Sequence, residues 1–171
     1  MRAGTNVLST KPAGPTERTA LIAGLIGAAV LAALVGWLGF RAYEAHTIKA
    51  QRDLFVQTAR QAAVNLSTVD YEHAADDAQR ILDSATGKFY DSFSHRKQSY
   101  IDNATQTRSK QTGAVIDAGL ESQTRNAGRV LVAVAVRDAS RAEQEPQFWR
   151  MRITVQKTGE VGKVSDVEFV P

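Results

Sequence analysis

The sequence contains no cysteine, which excludes disulfides, cysteine nucleophiles and cysteine-ligated zinc or iron–sulfur centres and leaves the compartment open. Histidine is scarce as well: His46, His73 and His95 fall on three separate helical segments. None has the i, i+4 partner that a zinc-protease helix supplies, so each reads as a surface or boundary residue and no metal is expected. No glycine-rich loop follows a strand pattern, because the Gly24 to Gly27 run lies inside an apolar segment, and a standard nucleotide loop is therefore excluded. An excess of one charge is also missing where it would matter. The pI is about 9.3, yet the first 19 residues hold +2 of the net +3. From Arg41 onward, 18 basic side chains face 17 acidic ones. With no cluster of Lys and Arg interleaved with aromatics, nucleic acid is not an expected partner.

One long stretch has no charge at all. Residues 20–40 read ALIAGLIGAAVLAALVGWLGF, 21 residues that as a helix at about 1.5 Å each cross roughly the 30 Å hydrocarbon core. Arg18 and Arg41 bracket it, and Trp37 and Phe40 lie near one end, where aromatic rings favour the headgroup layer. A cleaved signal peptide has a shorter apolar core, about 7 to 15 residues, so an uncleaved anchor is expected. The basic residues on its two sides do not decide orientation. A long folded cargo after a single anchor favours residues 1–19 in the cytoplasm and the domain outside. Gly24, Ala28, Ala32 and Gly36 recur every four residues as a small-residue stripe suited to close helix packing. With ten Gly or Ala in the segment, the stripe also arises by composition alone.

The remaining 131 residues suffice for one domain. Residues 41–66 contain no Pro or Gly and repeat Ile48, Phe55, Ala59, Ala62 and Leu66 at helical spacing, so the anchor helix is expected to continue through them. After a polar break at 67–70, Asp70 is placed to cap a second helix carrying Ala74, Ala78, Ile81, Leu82 and Ala85 inward. Gly87 is expected as its left-handed C-terminal cap. A third helix presents Phe89, Phe93, Tyr100 and Ala104. Beyond Lys110 the period becomes two. Ala114, Ile116, Ala118 and Leu120 are expected on one face, with Asp117 and Glu121 on the other. The apolar run within 129–137 predicts a central strand covered on both faces or facing a cavity. Trp149, Met151, Ile153 and Val155 alternate with polar neighbours in a third strand, and 161–170 forms a fourth after a Thr158–Gly159 turn. Ser140 to Gln147 connects two of these strands as a polar hairpin. The fold class is α+β: about three helices on the concave face of a curved, four-stranded antiparallel sheet.

Few residues suggest chemistry. Asp117, Tyr71, Tyr90 and His73 are the candidates for a general base in a helix-lined pocket, but no acid–base pair emerges and no enzyme activity or cofactor is expected. Arg80 can reach Asp76 or Asp83 one turn away; the pair reads either as a solvated helix face or as a tie to the sheet or to another protein.

The run Leu66 to Phe93, LSTVDYEHAADDAQRILDSATGKFYDSF, resembles the signature of the Mce-associated membrane proteins of mycobacteria and their relatives. That family has a polar Asp-Tyr turn before a helix carrying Asp and Arg, then Thr-Gly-x-Phe and an aromatic. The matching positions are Asp70, Tyr71, Asp77, Arg80, Thr86, Gly87, Phe89 and Phe93. The closing VSDVEFV and the single span are similar too. The resemblance implies a cone-shaped domain of the nuclear transport factor 2-like fold, also used by an inner-membrane assembly component of type IV secretion systems. It implies an inner-membrane accessory of Mce systems, which import fatty acids or sterols. Mce transporter subunits, or related Mce-associated proteins, are then the expected partners, reached through Arg150, Arg152, Arg80, the 140–147 hairpin and the Gly24, Ala28, Ala32, Gly36 stripe. An alternative is a lipid-binding module with a pocket lined by Phe89, Leu120, Val132 and Val134. A third is an envelope isomerase or dehydratase.

Overall fold

A computed structural model describes the backbone of residues 15–139 and 144–171, with side chains at 24–41, 48–139 and 144–171. Most of the expected cytoplasmic tail, the side chain of His46 and positions 140–143 of the hairpin lie outside the described residues. The chain divides into two units, Met1–Thr47 and Ile48–Pro171.

Helix α1 (Pro15–Ser67) contributes to both. In the first unit its window Gly24–Arg41 has a mean hydropathy of 1.7 and is wholly exposed, with Leu25 at 72% and Phe40 at 64%. It is long and apolar enough to cross a membrane. In the second unit the same helix changes character. Phe55, Ala59, Ala62 and Ala63 fall on one face at helical spacing and are buried.

That face lies on a five-stranded antiparallel sheet in sequential order: β1 (Val69–Asp70), β2 (Lys110–Gln123), β3 (Ala127–Asp138), β4 (Gln147–Thr158) and β5 (Val161–Val170). Helices α2 (Ala74–Asp83) and α3 (Gly87–Gln106) precede β2. The main core joins Phe55 and the alanines of α1 to Val130, Val132, Val134 and Val136 of β3, Met151, Ile153 and Val155 of β4, and Val164 of β5. A smaller cluster joins Ala78, Ile81 and Leu82 of α2 to Phe93 of α3; Leu66 and Phe89 touch both clusters. Three glycines let α1 approach the sheet backbone. A Cβ on Gly128 would overlap the Phe55 ring, one on Gly113 the Ser67 side chain, and one on Gly162 the Thr58 hydroxyl. Ser67 is fully buried and donates its hydroxyl to the Ala63 carbonyl at 2.6 Å, so its polar atom is satisfied without water.

The structure corrects several expectations. The sheet has a fifth strand, β1, whose two residues pair with Gln111 and Lys110; two residues are too few to show a period. In β2 a bulge at Ile116 reverses the phase, so Gly113 and Val115 face the helices before it and Ala118 and Leu120 after it. Ala114 and Ile116 are exposed instead, Ile116 at 56%. The outer face of β3 is open, with Leu131 40% exposed, and helices cover only the other face. Asp70 lies in β1, where its carboxylate accepts the Glu72 N–H at 3.1 Å and caps a turn; His73 occupies the N-cap of α2. Helix α2 ends on Ser84, and Gly87 uses its positive φ of 53° to open α3.

Candidate interaction surface

A wide concavity lies between α3 and β5. Lys88, Ser92, Arg96, Ser99 and Asn103 recur along one side of α3 every three or four residues and form one wall. Asp166, Val167 and Phe169 of β5 form the other, and Leu66, Phe89, Phe93 and Tyr100 complete an open groove of about 880 Å³. Its rings interlock, with Phe89–Phe93 centroids 6.0 Å apart and Phe93–Tyr100 5.6 Å apart. Phe169 is 68% exposed and stands edge-on to Trp149 at 6.1 Å. Lys88 Nζ is 3.8 Å from the Asp166 carboxylate. The Arg96 guanidinium donates from Nε to the Ser92 carbonyl at 3.1 Å and has no carboxylate partner among the described residues.

Within the groove lining, Tyr100 buries its hydroxyl with no hydrogen-bond partner among the described residues. Burial pushes its pKa up to about 12, the nearby Asp77 carboxylate adds to the rise and Arg80 opposes it. Asp77 itself is buried and doubly satisfied, accepting the Asp70 N–H at 3.1 Å and Arg80 Nη2 at 2.9 Å. Arg80 therefore pairs with Asp77 rather than with Asp76 or Asp83, and it supports a carboxylate that ties α2 to β1.

The outer sheet face separates the two arginines that the sequence put together. Arg152 is held by Glu121 at 3.0 Å and Glu168 at 3.4 Å, and the hydrogen bond to Glu121 leads the causes that raise its pKa. Its charge is already matched within the domain. Arg150 is exposed and has no ion pair among the described residues; Leu131 and Phe148 are exposed on the same strands. Gly24, Ala28, Ala32 and Gly36 all lie on the exposed apolar part of α1, and a Cβ added at Gly24 or Gly36 would meet nothing.

The four residues expected to line one pocket do not share one. Phe89 lines the groove, whereas Val132 and Val134 are fully buried under α1, and Leu120, partly buried against that same core, lines a separate concavity with Leu131 and Arg150. The general-base candidates are likewise dispersed. Tyr71 reaches Glu72 at 3.3 Å, Tyr90 is 44% exposed, and Asp117 lies at the β2 bulge 4.0 Å from Arg60. His73 is 3.7 Å from Asp70. Asp70, Glu72 and His73 bring ligand atoms close enough for a cation, but the Lys110 ammonium lies 3.3 Å from Asp70 and 3.9 Å from Glu72. The backbone bond from Glu72, ahead of Lys110, holds the Asp70 carboxyl below its ordinary range; Asp70 in turn raises Lys110. Sequence reasoning missed Arg96, Val167 and Phe169; the spacing of Lys88, Ser92 and Arg96 beside the aromatic stripe of α3 was the available signal.

A helix able to span a membrane, followed by helices packed on a five-stranded antiparallel sheet, defines a nuclear transport factor 2-like α+β protein with an apolar N-terminal helix. The chain belongs to the family described as "Uncharacterized protein Rv1363c/MT1408-like", whose profile matches residues 17–171. It is 32% identical over 140 residues to the uncharacterized protein Rv1363c of Mycobacterium tuberculosis. The match covers 81% of this chain and 54% of that protein, so the chain spans about half the length of the curated relative. Among solved structures, the periplasmic domain of DotI aligns over 68% of this chain and 92% of its own, with a TM-score of 0.57 and 16% identity. A periplasmic fragment of TraM gives a TM-score of 0.53 at 13% identity, covering 66% of this chain and 92% of its own. An IcmL-like type IV secretion system protein of Legionella pneumophila gives 0.52 at 12%, covering 70% and 92%. At these identities the shared property is the fold.

Proposed function

We propose that this protein is a non-enzymatic, single-pass membrane scaffold whose domain lies outside the cytoplasm and contacts other proteins of the envelope. The observation that carries the reading is the tether itself: a wholly exposed apolar helix precedes a domain with a wide open groove lined by aromatic rings and by a guanidinium that has no carboxylate partner among the described residues. That concavity offers contact surface, and its titratable groups, Lys88, Arg96, Asp166 and the buried Tyr100 hydroxyl, form no nucleophile–base pair. The same fold occurs in the periplasmic domain of DotI, in a periplasmic fragment of TraM and in an IcmL-like type IV secretion system protein, which fits a placement in the envelope. The Asp70 to Phe93 signature adds the finer assignment, in which the partners are subunits of an Mce-type importer of fatty acids or sterols and the membrane is the inner one.

Affinity purification of the full chain from mild-detergent membranes, with a span-only control, tests this reading. Recovery of Mce transporter subunits that depends on residues 41–171 is expected. Recovery of no protein, with lipid retained instead, would favour the second reading, a lipid-binding module, for which the groove volume of about 880 Å³ is the specific support.

A further inference from the structure

Strand β5 is the last strand of the sheet, and its outer edge is covered at one place only among the described residues. There the chain adds an extended piece of itself. Ala85 makes a parallel bridge to Val164, the Thr86 N–H donates to the Val164 carbonyl at 2.7 Å, and the Val164 N–H donates to the Ser84 carbonyl at 2.8 Å. Past Val164 the covering segment turns into α3 at Gly87, and the edge from Asp166 to Val170 continues with no strand of the described residues beside it. This bare edge borders the groove, whose far wall is α3. An unpaired edge of this kind is a template for another chain.

We propose that this groove receives an extended peptide segment of a partner protein, which adds to β5 as a sixth strand in line with Ser84–Thr86. The inference rests on the protein-contact reading above and names its site. Backbone hydrogen bonds to the 166–170 edge would hold the segment, and alternate side chains would enter between Phe89, Phe93 and Phe169. From Lys88 to Asn103 the α3 wall rises about 22 Å, the span of roughly six or seven extended residues. Charge fixes the chemistry further. Lys88 already faces Asp166, whereas Arg96 has no carboxylate partner among the described residues, so the segment carries an acidic residue among alternating apolar ones.

The test is selection of random heptapeptides on the full chain in nanodiscs, followed by affinity measurement of the winners against Arg96→Glu and Phe169→Asp variants. Both side chains are exposed, and unchanged circular dichroism melts establish that the variants fold. Winners that alternate apolar residues around an Asp or Glu are expected. Each variant should weaken them at least tenfold, and so should N-methylation of alternate peptide amides, because it removes strand pairing while leaving side chains intact. Hydrogen exchange should slow at 166–170 on binding. No enrichment overturns the proposal, as do winners indifferent to N-methylation or to Arg96→Glu, displacement of winners by oleate, or a β5-to-β5 dimer that excludes peptide. If transporter subunits co-purify equally with wild type and both variants, the scaffold reading stands and this edge is not its site. If they co-purify with none of the three, wild type included, that reading itself fails.

Discussion

The two parts of helix α1 are built from similar residues and obey different solvents. Between Gly24 and Arg41, apolar side chains occur all round the helix and none is buried; Leu31 and Val35 are 64% and 67% exposed. From Ile48 to Ser67 one stripe is buried, with Phe55 and Ala59 at 0%, while Ile48 at the start stays 53% exposed. The difference teaches how much of a helix's fate lies in the angular distribution of its apolar groups. A helix apolar on every face has no side to show to water and is stable in hydrocarbon, while a striped one needs a complementary protein surface. Here that surface is the valine-lined face of β3 and β4.

Truncation should break this contrast most sharply. Phe55→Ala removes the ring that sits on Gly128 and is expected to destabilise the domain by about 3–5 kcal/mol, read from urea unfolding in nanodiscs. Leu31→Ala, a change of similar type in the other part of the helix, should leave that transition unmoved. A second effect tests whether the smaller cluster is held by its buried Asp77 carboxylate rather than by the α1 seam. Asp77→Ala leaves the Asp70 N–H and Arg80 without their acceptor and should cost about 1.5–3 kcal/mol. The seam is then sharpened from the sheet side: Gly128→Ala places a methyl against Phe55 and should cost about 1–3 kcal/mol. In combination with Phe55→Ala the penalty should shrink, giving a coupling of at least about 0.5 kcal/mol in a double-mutant cycle. An additive result would mean that helix and strand do not meet there.

The smallest effect concerns pH. Because the Tyr100 pKa is raised in the folded state to about 12, its contribution to stability is complete below pH 10 and is lost as pH rises from 10 towards 12. Tyr100→Phe should remove that slope, leave stability at neutral pH unchanged or slightly higher, and abolish the tyrosinate absorbance step near pH 12. A step that persists in the variant would assign it to another tyrosine.

How far this was legible in the sequence depended on whether a feature is local. The uncharged segment, the stripes of α2 and α3, and the alternation in β4 are each written within about ten to twenty consecutive residues, and the structure has those elements. Features made by distant residues were not readable. Gly113, Gly128 and Gly162 look like ordinary strand glycines until α1 is laid on them. Arg152 read as an available surface contact because Glu121, its partner, is 31 positions away on β2, with β3 between them. The bulge at Ile116 carries no marker residue, and it alone turned a correct strand into a wrong facing for Ala114 and Ile116. The burial of Asp77 was not readable because nothing nearby announces that β1 will cover it. The groove failed for the same reason, since its walls are separated by three strands in sequence.

The absence of native cysteine makes the central claim directly measurable, because any introduced thiol is the only one. Full chains carrying Leu31→Cys, Gln57→Cys or Ala59→Cys would be treated in intact cells with a membrane-impermeant maleimide, with and without urea. A membrane-crossing helix that ends in an external domain predicts immediate labelling at position 57, labelling at 59 only when urea unfolds the domain, and none at 31 in either condition. Labelling at 31, or at 57 only after lysis, would contradict it.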